Sequence, residues 1–119
     1  MLYTNLKHIE TSTGFEVAIS ENENVVLICG DMGQMSIPVY RIAEELEVKY
    51  KHVKFVDMEF GNPESQFIRN LPEIQGIVGI PFTVYYKNGI VVKVTSGIQS
   101  KVQITNILDN SIAASKNNY

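Results

Sequence analysis

The chain has 119 residues, of which 45% are hydrophobic, and its formal net charge is −3. This length suits a single hydrophobic core, so we predict one domain over residues 1–119. Acidic and basic residues are interspersed, which argues against the clustered basic face of a nucleic-acid-binding protein. No apolar stretch approaches the roughly 20 residues of a membrane span. The N-terminus lacks the features of a secretory signal, which predicts a cytoplasmic protein.

Residue types that carry chemistry are sparse. Cys29 is the only cysteine, so an intramolecular disulfide is impossible. His8 and His52 have no metal-ligand spacing to Cys29 or to each other, so we predict neither a metal site nor a cofactor. Three acidic residues are interpreted as solvated or capping groups rather than as a catalytic pair: Asp57, Glu59 and Glu64.

The first third of the chain predicts a strand, a short helix and a second strand. Leu6–Ile9 is a short candidate strand. Thr13 and Glu16 have the spacing of a capping box, in which each satisfies a free amide of the other, and the helix would run to about Ser20. The continuous apolar run Val25–Cys29 is expected of a strand that is buried on both faces.

The middle of the chain predicts a long helix and a third strand. The helix runs to about Lys51, with apolar residues three and four apart. These residues are Val39, Ile42, Ala43, Leu46 and Tyr50. Val53–Phe60 is the strand. Asn62 and Pro63 suit the cap and first turn of a helix over Glu64–Asn70.

The last third predicts two strands and a final helix. Pro81 stands inside an apolar run where a strand is about to begin, and a cis Ile80–Pro81 bond would resolve that conflict. The strand Phe82–Tyr86, a Lys-Asn-Gly turn and the strand Ile90–Thr95 follow. A capping box at Ser100 opens the last helix.

The resulting order is β-α-β-α-β-α-β-β-α. The early alternation predicts parallel strands, and the terminal hairpin is antiparallel. An α/β fold with a mixed central sheet and helices on both of its faces accommodates this order. Residues 116–119 should fray.

The order of proline, apolar strand, Lys-Asn-Gly and apolar strand resembles the C-terminal half of thioredoxins, which implies the thioredoxin fold. That family carries Trp-Cys-Gly-Pro-Cys at the start of the long helix. Aligning the helix segment 42–50 places five other residues there: Met32, Gly33, Gln34, Met35 and Ser36. Gly33 then replaces the nucleophilic cysteine and Ser36 the resolving one. A second alignment, anchored on Pro38, places residues 30–33 there; we prefer the first because it matches more of the helix.

Without a second thiol, dithiol exchange cannot be completed within this chain. Cys29 could still attack in a monothiol reaction, with glutathione or another protein thiol as resolver, if its thiolate were accessible and stabilised. Alternatively, Cys29 is an inert core thiol. Ser36 is either the N-cap of the long helix or a natural or introduced serine at a cysteine position. The buried aspartate that many thioredoxins use as proton relay would be Leu27 here.

Two functions follow from the resemblance. The first is a thioredoxin-like protein related to thiol–disulfide oxidoreductases, disabled or altered to a monothiol form, acting on protein thiols or disulfides; whether it is an enzyme stays open. The second is a non-catalytic, monomeric module that binds a protein partner in the groove beside Pro81. In both, the backbone at Ile80 and Pro81 would pair with an extended partner segment. Met32, Met35 and Phe82 would form an apolar surface around it.

Overall fold

The computed structural model describes residues 2–77 and 79–112. Residues 116–119, where fraying was expected, lie outside the described residues. It contains five strands, four α-helices and three single turns of other helix types. The strands and α-helices are β1 (Lys7–Ile9), α1 (Ser12–Glu21), β2 (Asn24–Gly30), α2 (Ile37–Lys49), β3 (Lys54–Glu59), α3 (Gln66–Arg69), β4 (Phe82–Lys87), β5 (Ile90–Ser96) and α4 (Lys101–Ile107). The 3₁₀ turns are Pro63–Ser65 and Pro72–Ile74, and a π-helical turn covers Leu108–Ile112.

The five strands form one mixed sheet in the order β1-β3-β2-β4-β5. β1 and β2 both pair with β3 in parallel, whereas β4 pairs antiparallel with β2 and with β5. β2 lies at the centre, and all seven of its residues are buried. The element order and the mixed pairing predicted from the sequence are confirmed. Because β2 is central, its C-terminal end is held between β3 and β4, and this end positions the candidate site.

Helices cover both faces of the sheet and create two separate cores. Residues of α2 and α4 pack on the first face, including Leu46 and Ile104. Residues of α1 and α3 pack on the second face, including Phe15 and Ile68. Alternate residues of a strand therefore enter different cores. In β3, Phe55 joins the first core, whereas Val56 and Met58 join the second.

Helix capping differs from the prediction at the start of α1. Thr11, not Thr13, is the N-cap, and its Oγ1 accepts a 2.9 Å hydrogen bond from the Gly14 amide. The predicted capping box of Thr13 and Glu16 is therefore wrong. The helix begins at Ser12, so Thr13 lies inside its first turn and cannot be its N-cap.

Capping is as predicted before α3 and at the start of α4. The Asn62 side chain accepts from the Glu64 amide and caps the 3₁₀ turn that leads into α3. At α4 both bonds of the capping box are present. Ser100 N donates to Gln103 Oε1 at 2.8 Å, and Gln103 N donates to Ser100 Oγ at 3.1 Å. Among the helices described, none is long and apolar enough to cross a membrane.

Candidate functional site

The loop between β2 and α2 meets the turn before β4 at Gly30, the last residue of β2. The Ile80–Pro81 peptide bond is cis. A Cβ built on Gly30 would lie 2.7 Å from Ser36 Oγ, 2.8 Å from Tyr40 Oη and 3.0 Å from Pro81 Cβ. Such distances are too short for any side chain, so only glycine allows the three residues to converge here. Ser36 and Pro81 are thus brought together around a glycine that the sequence did not single out.

Hydrogen bonds from one carboxylate shape this loop. Asp31 Oδ1 accepts from the Gly33 amide at 2.8 Å and from Ser36 Oγ at 3.1 Å, and the Asp31 amide donates to Ser36 Oγ at 3.3 Å. Ser36 precedes α2 as predicted, but its side chain makes no capping bond to the helix. Ser36 is therefore the N-cap residue by position, as predicted, but its hydroxyl is engaged by Asp31 and not by an amide of the helix. The side chain of Ser36 is fully buried, so the hydrogen bonds between Ser36 and Asp31 hold the two ends of the loop together beneath its surface.

Cys29 lies on the other face of the sheet from this polar cluster. It pairs with Met58 in β3 and with Phe82 in β4, and it belongs to the second core. Its exposed fraction is 0%. Burial raises the pKa of the thiol to about 12, against a weaker lowering by the charge of Arg69. Of the two interpretations of Cys29, the structure supports the inert core thiol.

The predicted loop and partner-binding residues differ in exposure. Gln34 and Met35 are exposed, and 50% of Met35 is accessible. Met32 is half-buried against the first core, and its Sδ accepts from the Tyr3 amide at 3.3 Å. Phe82 does not contribute to an apolar surface, contrary to the prediction. It is 3% exposed, because the start of β4 turns its ring into the second core.

Other exposed residues flank the turn instead. Pro81 is itself buried, Ile80 is half-buried and Gly79 is exposed. The Gly97 amide donates to Pro81 O at 2.9 Å, and Ile98, the next residue, is 50% exposed. Ile77 is 43% exposed. Sequence reasoning missed Ile77 and Ile98 because they belong to no motif; their only signal is that they are large apolar residues in loops.

A second carboxylate is buried at the middle of β3. Asp57, predicted to be solvated or capping, is 0% exposed. It accepts a hydrogen bond from Thr4 Oγ1 and another from His8 Nδ1 at 2.7 Å. Burial raises the pKa of the Asp57 carboxyl, and the bonds from Thr4 and His8 oppose that rise. The prediction failed because both partners come from the N-terminal segment, far from Asp57 in the sequence. His8, predicted to be isolated, is thus a partner of Asp57.

Asp57 and Cys29 do not form one site. Asp57 faces the first core in register with Ile28, whereas Cys29 faces the second. In the part of the chain that the structure describes, no three side chains of His, Cys, Asp or Glu are grouped so that they could hold a metal ion. Within residues 2–77 and 79–112, the arrangement offers two separate polar clusters and one buried thiol, and that thiol has no acid–base pair beside it.

Solved thioredoxin structures superpose on this chain. The thioredoxin of Plasmodium falciparum does so with a TM-score of 0.73 at 19% identity, covering 89% of this chain and 99% of the other. For mitochondrial thioredoxin 3 of Saccharomyces cerevisiae the TM-score is 0.69 at 19% identity, with 87% and 94% covered. Chloroplastic thioredoxin z gives 0.70 at 19% identity, with 91% and 94% covered. No family model and no curated protein matches the sequence. The chain therefore has the thioredoxin fold, as predicted, without a Cys-x-x-Cys pair.

Proposed function

We propose that this protein is a non-catalytic binding module that holds an extended segment of a protein partner along Gly79 and Ile80, beside the loop 31–36. One observation carries the proposal. The only thiol is fully buried, while the surface around the turn before β4 exposes large apolar side chains. The site thus exposes apolar side chains that a peptide can contact, whereas the thiol of Cys29 is not accessible as a nucleophile.

The chemistry at Cys29 argues against catalysis. With a pKa of about 12, only about one thiol in 10⁵ is ionised at neutral pH. The thiolate is the attacking species in thiol–disulfide exchange, and here it would also have to reach solvent from the second core. Gly33 and Ser36, which the resemblance places at the two cysteine positions, supply no thiol. A lone, unpaired thiol suits the reducing cytoplasm predicted from the sequence.

The partner segment is proposed to bind through its backbone. Gly79 is exposed and Ile80 half-buried, so a strand from a partner can approach the chain just before β4. Pro81 O already accepts from the Gly97 amide, which fixes the turn against the end of β5. Addition of an extended peptide to such an edge gives affinity through main-chain hydrogen bonds, and neighbouring side chains give specificity.

Three exposed side chains supply the apolar contacts, and we refer to them as the apolar rim: Met35, Ile77 and Ile98. Met35 precedes Ser36, which lies beside Pro81; Ile77 lies in the segment that leads to the cis bond; and Ile98 follows Gly97, whose amide donates to Pro81 O. Exposed apolar groups around one turn mark interaction sites more often than isolated exposed residues do. Methionine in particular adapts to different partner shapes. The rim therefore suits a partner segment with apolar side chains.

A selection from a displayed library of random peptides tests the proposal. The full chain should enrich peptides with recurring apolar residues. For a synthesised winner, Met35→Asn and Ile98→Asn should each raise the dissociation constant about tenfold, which corresponds to roughly 1.4 kcal/mol. Val48→Asn is the matched control, because Val48 is 70% exposed on α2 and outside the rim. No enrichment, or equal affinity for rim and control variants, would refute the binding module.

Cys29→Ala separates this function from the monothiol alternative. If no bond to the partner passes through the thiol, the dissociation constant should stay within about twofold of the wild-type value. Iodoacetamide should label Cys29 only after unfolding, and glutathione should form no adduct with the native protein. Fast labelling of the native protein, or loss of partner capture in Cys29→Ala with unchanged circular dichroism, would favour the monothiol enzyme instead.

A further inference from the structure

Asp31 places an exposed carboxylate beside the proposed groove. It directly follows Gly30, the residue at which the end of β2 meets Pro81. Ser36 Oγ, which lies at that same meeting point, donates to Asp31 Oδ1 at 3.1 Å. Asp31 is exposed, and so is Met35 of the apolar rim, four residues further along the same loop. A partner segment that lies beside this loop therefore passes the carboxylate as well as the rim.

The carboxylate also fills the space next to a missing side chain. A Cβ built on Gly33 would lie 3.0 Å from Asp31 Oδ1 and 3.5 Å from Asp31 Oδ2. The resemblance to thioredoxins places the nucleophilic cysteine of that family at Gly33, and here no side chain covers the carboxylate from that position. The loop therefore presents a negative charge next to the point where that family carries a thiol.

No residue that the structure describes forms an ion pair with Asp31. Its Oδ1 accepts from the Gly33 amide and from the Ser36 hydroxyl, so the carboxylate has a fixed orientation. An exposed carboxylate that is held in this way is prepared to accept a charge-assisted hydrogen bond from a cation. The net charge of −3 favours a cationic partner as well. Basic side chains in the described part of the chain pair with other carboxylates: Arg41 with Glu44, Lys87 with Glu23, and Lys101 with Glu45.

We propose that Asp31 receives a lysine or arginine side chain of the bound partner segment, so that the partner is an extended peptide with one basic residue next to its apolar anchors. This inference rests on the proposed function and adds the partner's chemistry to it. The partner is then held at this point of the loop by an ion pair, since no thiol is present there to form a disulfide. Asp31 is thus a specificity residue of the groove, and the rim receives the neighbouring apolar residues.

The test begins with the peptides that the full chain selects. They should carry lysine or arginine beside their apolar residues, and a parallel selection on Asp31→Asn should enrich apolar residues without the basic one. For one selected peptide, a second copy replaces the basic residue with glutamine. Wild-type protein should bind the basic peptide about fivefold more tightly than the glutamine version, because an ion pair at a surface contributes only modestly in water. In 1 M salt, where charges are screened over about 3 Å, the preference should fall below about twofold.

Two protein variants assign the preference to Asp31. In Asp31→Asn the side-chain oxygen can still accept from the Gly33 amide and the Ser36 hydroxyl, so only the charge is removed, and the two peptides should bind equally. Glu21→Gln is the matched control, because Glu21 is exposed and lies before β2 begins, whereas Asp31 follows the other end of that strand. The seven residues of β2 span roughly 20 Å, and charges are screened over roughly 8 Å at physiological ionic strength. The control should therefore keep the full preference.

The outcomes separate the two proposals. If selected peptides bind through the rim but show no basic preference, or if Asp31→Asn keeps that preference, the role of Asp31 is wrong and the binding module stands. If no peptide depends on the rim, both are wrong. If Asp31→Asn weakens the binding of both peptides by the same factor, Asp31 acts through the shape of the loop and not through its charge, and its role as a specificity residue is overturned as well.

Discussion

The Asp31 and Asp57 clusters of this protein are built in opposite ways. Asp31 is exposed and draws its partners from its own loop, since Gly33 and Ser36 lie two and five residues away in the sequence. Asp57 is fully buried and draws its partners, His8 and Thr4, from 49 and 53 residues away. One cluster therefore shapes a loop, whereas the other fastens the N-terminal segment to the middle of the sheet.

The difference shows that residue spacing in the sequence predicts hydrogen bonds within one loop but not hydrogen bonds between distant segments. A carboxylate that accepts from the amide two residues ahead is a local turn motif, so the Asp31 cluster depends little on the rest of the fold. The Asp57 cluster exists only when β1 lies beside β3 in the register His8 to Asp57. Loss of the Asp57 cluster should consequently lower the stability of the whole fold. Loss of the Asp31 cluster should disturb only the conformation of one loop.

Replacement of Asp57 should have the largest effect. Asp57→Ala removes a fully buried carboxylate and leaves the hydroxyl of Thr4 without its acceptor. Loss of two hydrogen bonds at a buried carboxyl, with one partner hydroxyl left without its acceptor, costs about 3 kcal/mol. The free energy of unfolding can be measured by urea denaturation followed by far-ultraviolet circular dichroism. Glu45→Ala, which removes an exposed ion pair with Lys101, should change it by less than about 1 kcal/mol. Equal effects for the two variants would show that the Asp57 cluster does not fasten the N-terminal segment.

A side chain at Gly30 should have the next largest effect. In Gly30→Ala the new methyl group would lie within 3.0 Å of Ser36, Tyr40 and Pro81. Overpacking of this kind costs about 2 kcal/mol, because the surrounding backbone must move. Gly61→Ala is the matched control: no atom lies within 4 Å of its Cβ, so the free energy of unfolding should change by less than about 0.5 kcal/mol. A neutral Gly30→Ala variant would mean that the loop is not packed against the turn before β4.

Replacement of Asp31 should have a smaller and local effect. Asp31→Ala removes the acceptor of the Gly33 amide and of the Ser36 hydroxyl and should cost about 1 kcal/mol. The Gly33 amide should also exchange its hydrogen faster, whereas amides of β1 should not change. Faster exchange in β1 as well would contradict the local character of this cluster.

Much of the fold could be predicted from the sequence because its signals are local or periodic. The apolar run Val25–Cys29 marked the central strand, and the spacing of apolar residues marked α2. The turn at Pro81 and the hairpin after it followed from a single proline and a Lys-Asn-Gly sequence. The alternation of side chains along β3 puts Asp57 on the same face as Phe55, but it does not indicate what Asp57 contacts there.

The candidate site was predictable only in part. The resemblance placed Ser36 at the start of the long helix, and the structure has it there; its proximity to Pro81 was not predicted. The packing of Gly30 against Tyr40 was not predicted, because it depends on how close the end of β2 lies to the first turn of α2. No sequence pattern gives that distance. The burial of Phe82 was missed for a related reason: a strand's first residue faces the core or the solvent depending on the register of its neighbours.

The smallest expected effect is a pH dependence that only the Asp57 cluster should show. Burial raises the pKa of the folded Asp57 carboxyl above the ordinary value of 3.8, so the folded state holds a proton where the unfolded state releases it. The stabilisation due to that proton is complete below the unfolded pKa and is lost as the pH rises through the folded pKa. Asp57→Asn cannot titrate at this position. The free energy of unfolding of the wild type, relative to Asp57→Asn, should therefore fall as the pH rises from about 4.

Urea titrations of both proteins across this pH range measure the difference directly. Three further groups face the carboxyl: Thr4 and His8 oppose the raised pKa, and the charge of Glu44 on α2 adds to it. In His8→Gln the pKa of Asp57 should rise further, since a group that favours the carboxylate is gone, and the fall in stability should extend to higher pH. A difference that stays constant with pH, or that grows as the pH rises, would mean that Asp57 is more hydrated than its burial indicates. In that case the contrast with the exposed Asp31 would rest on the distance between partners in the sequence and not on burial.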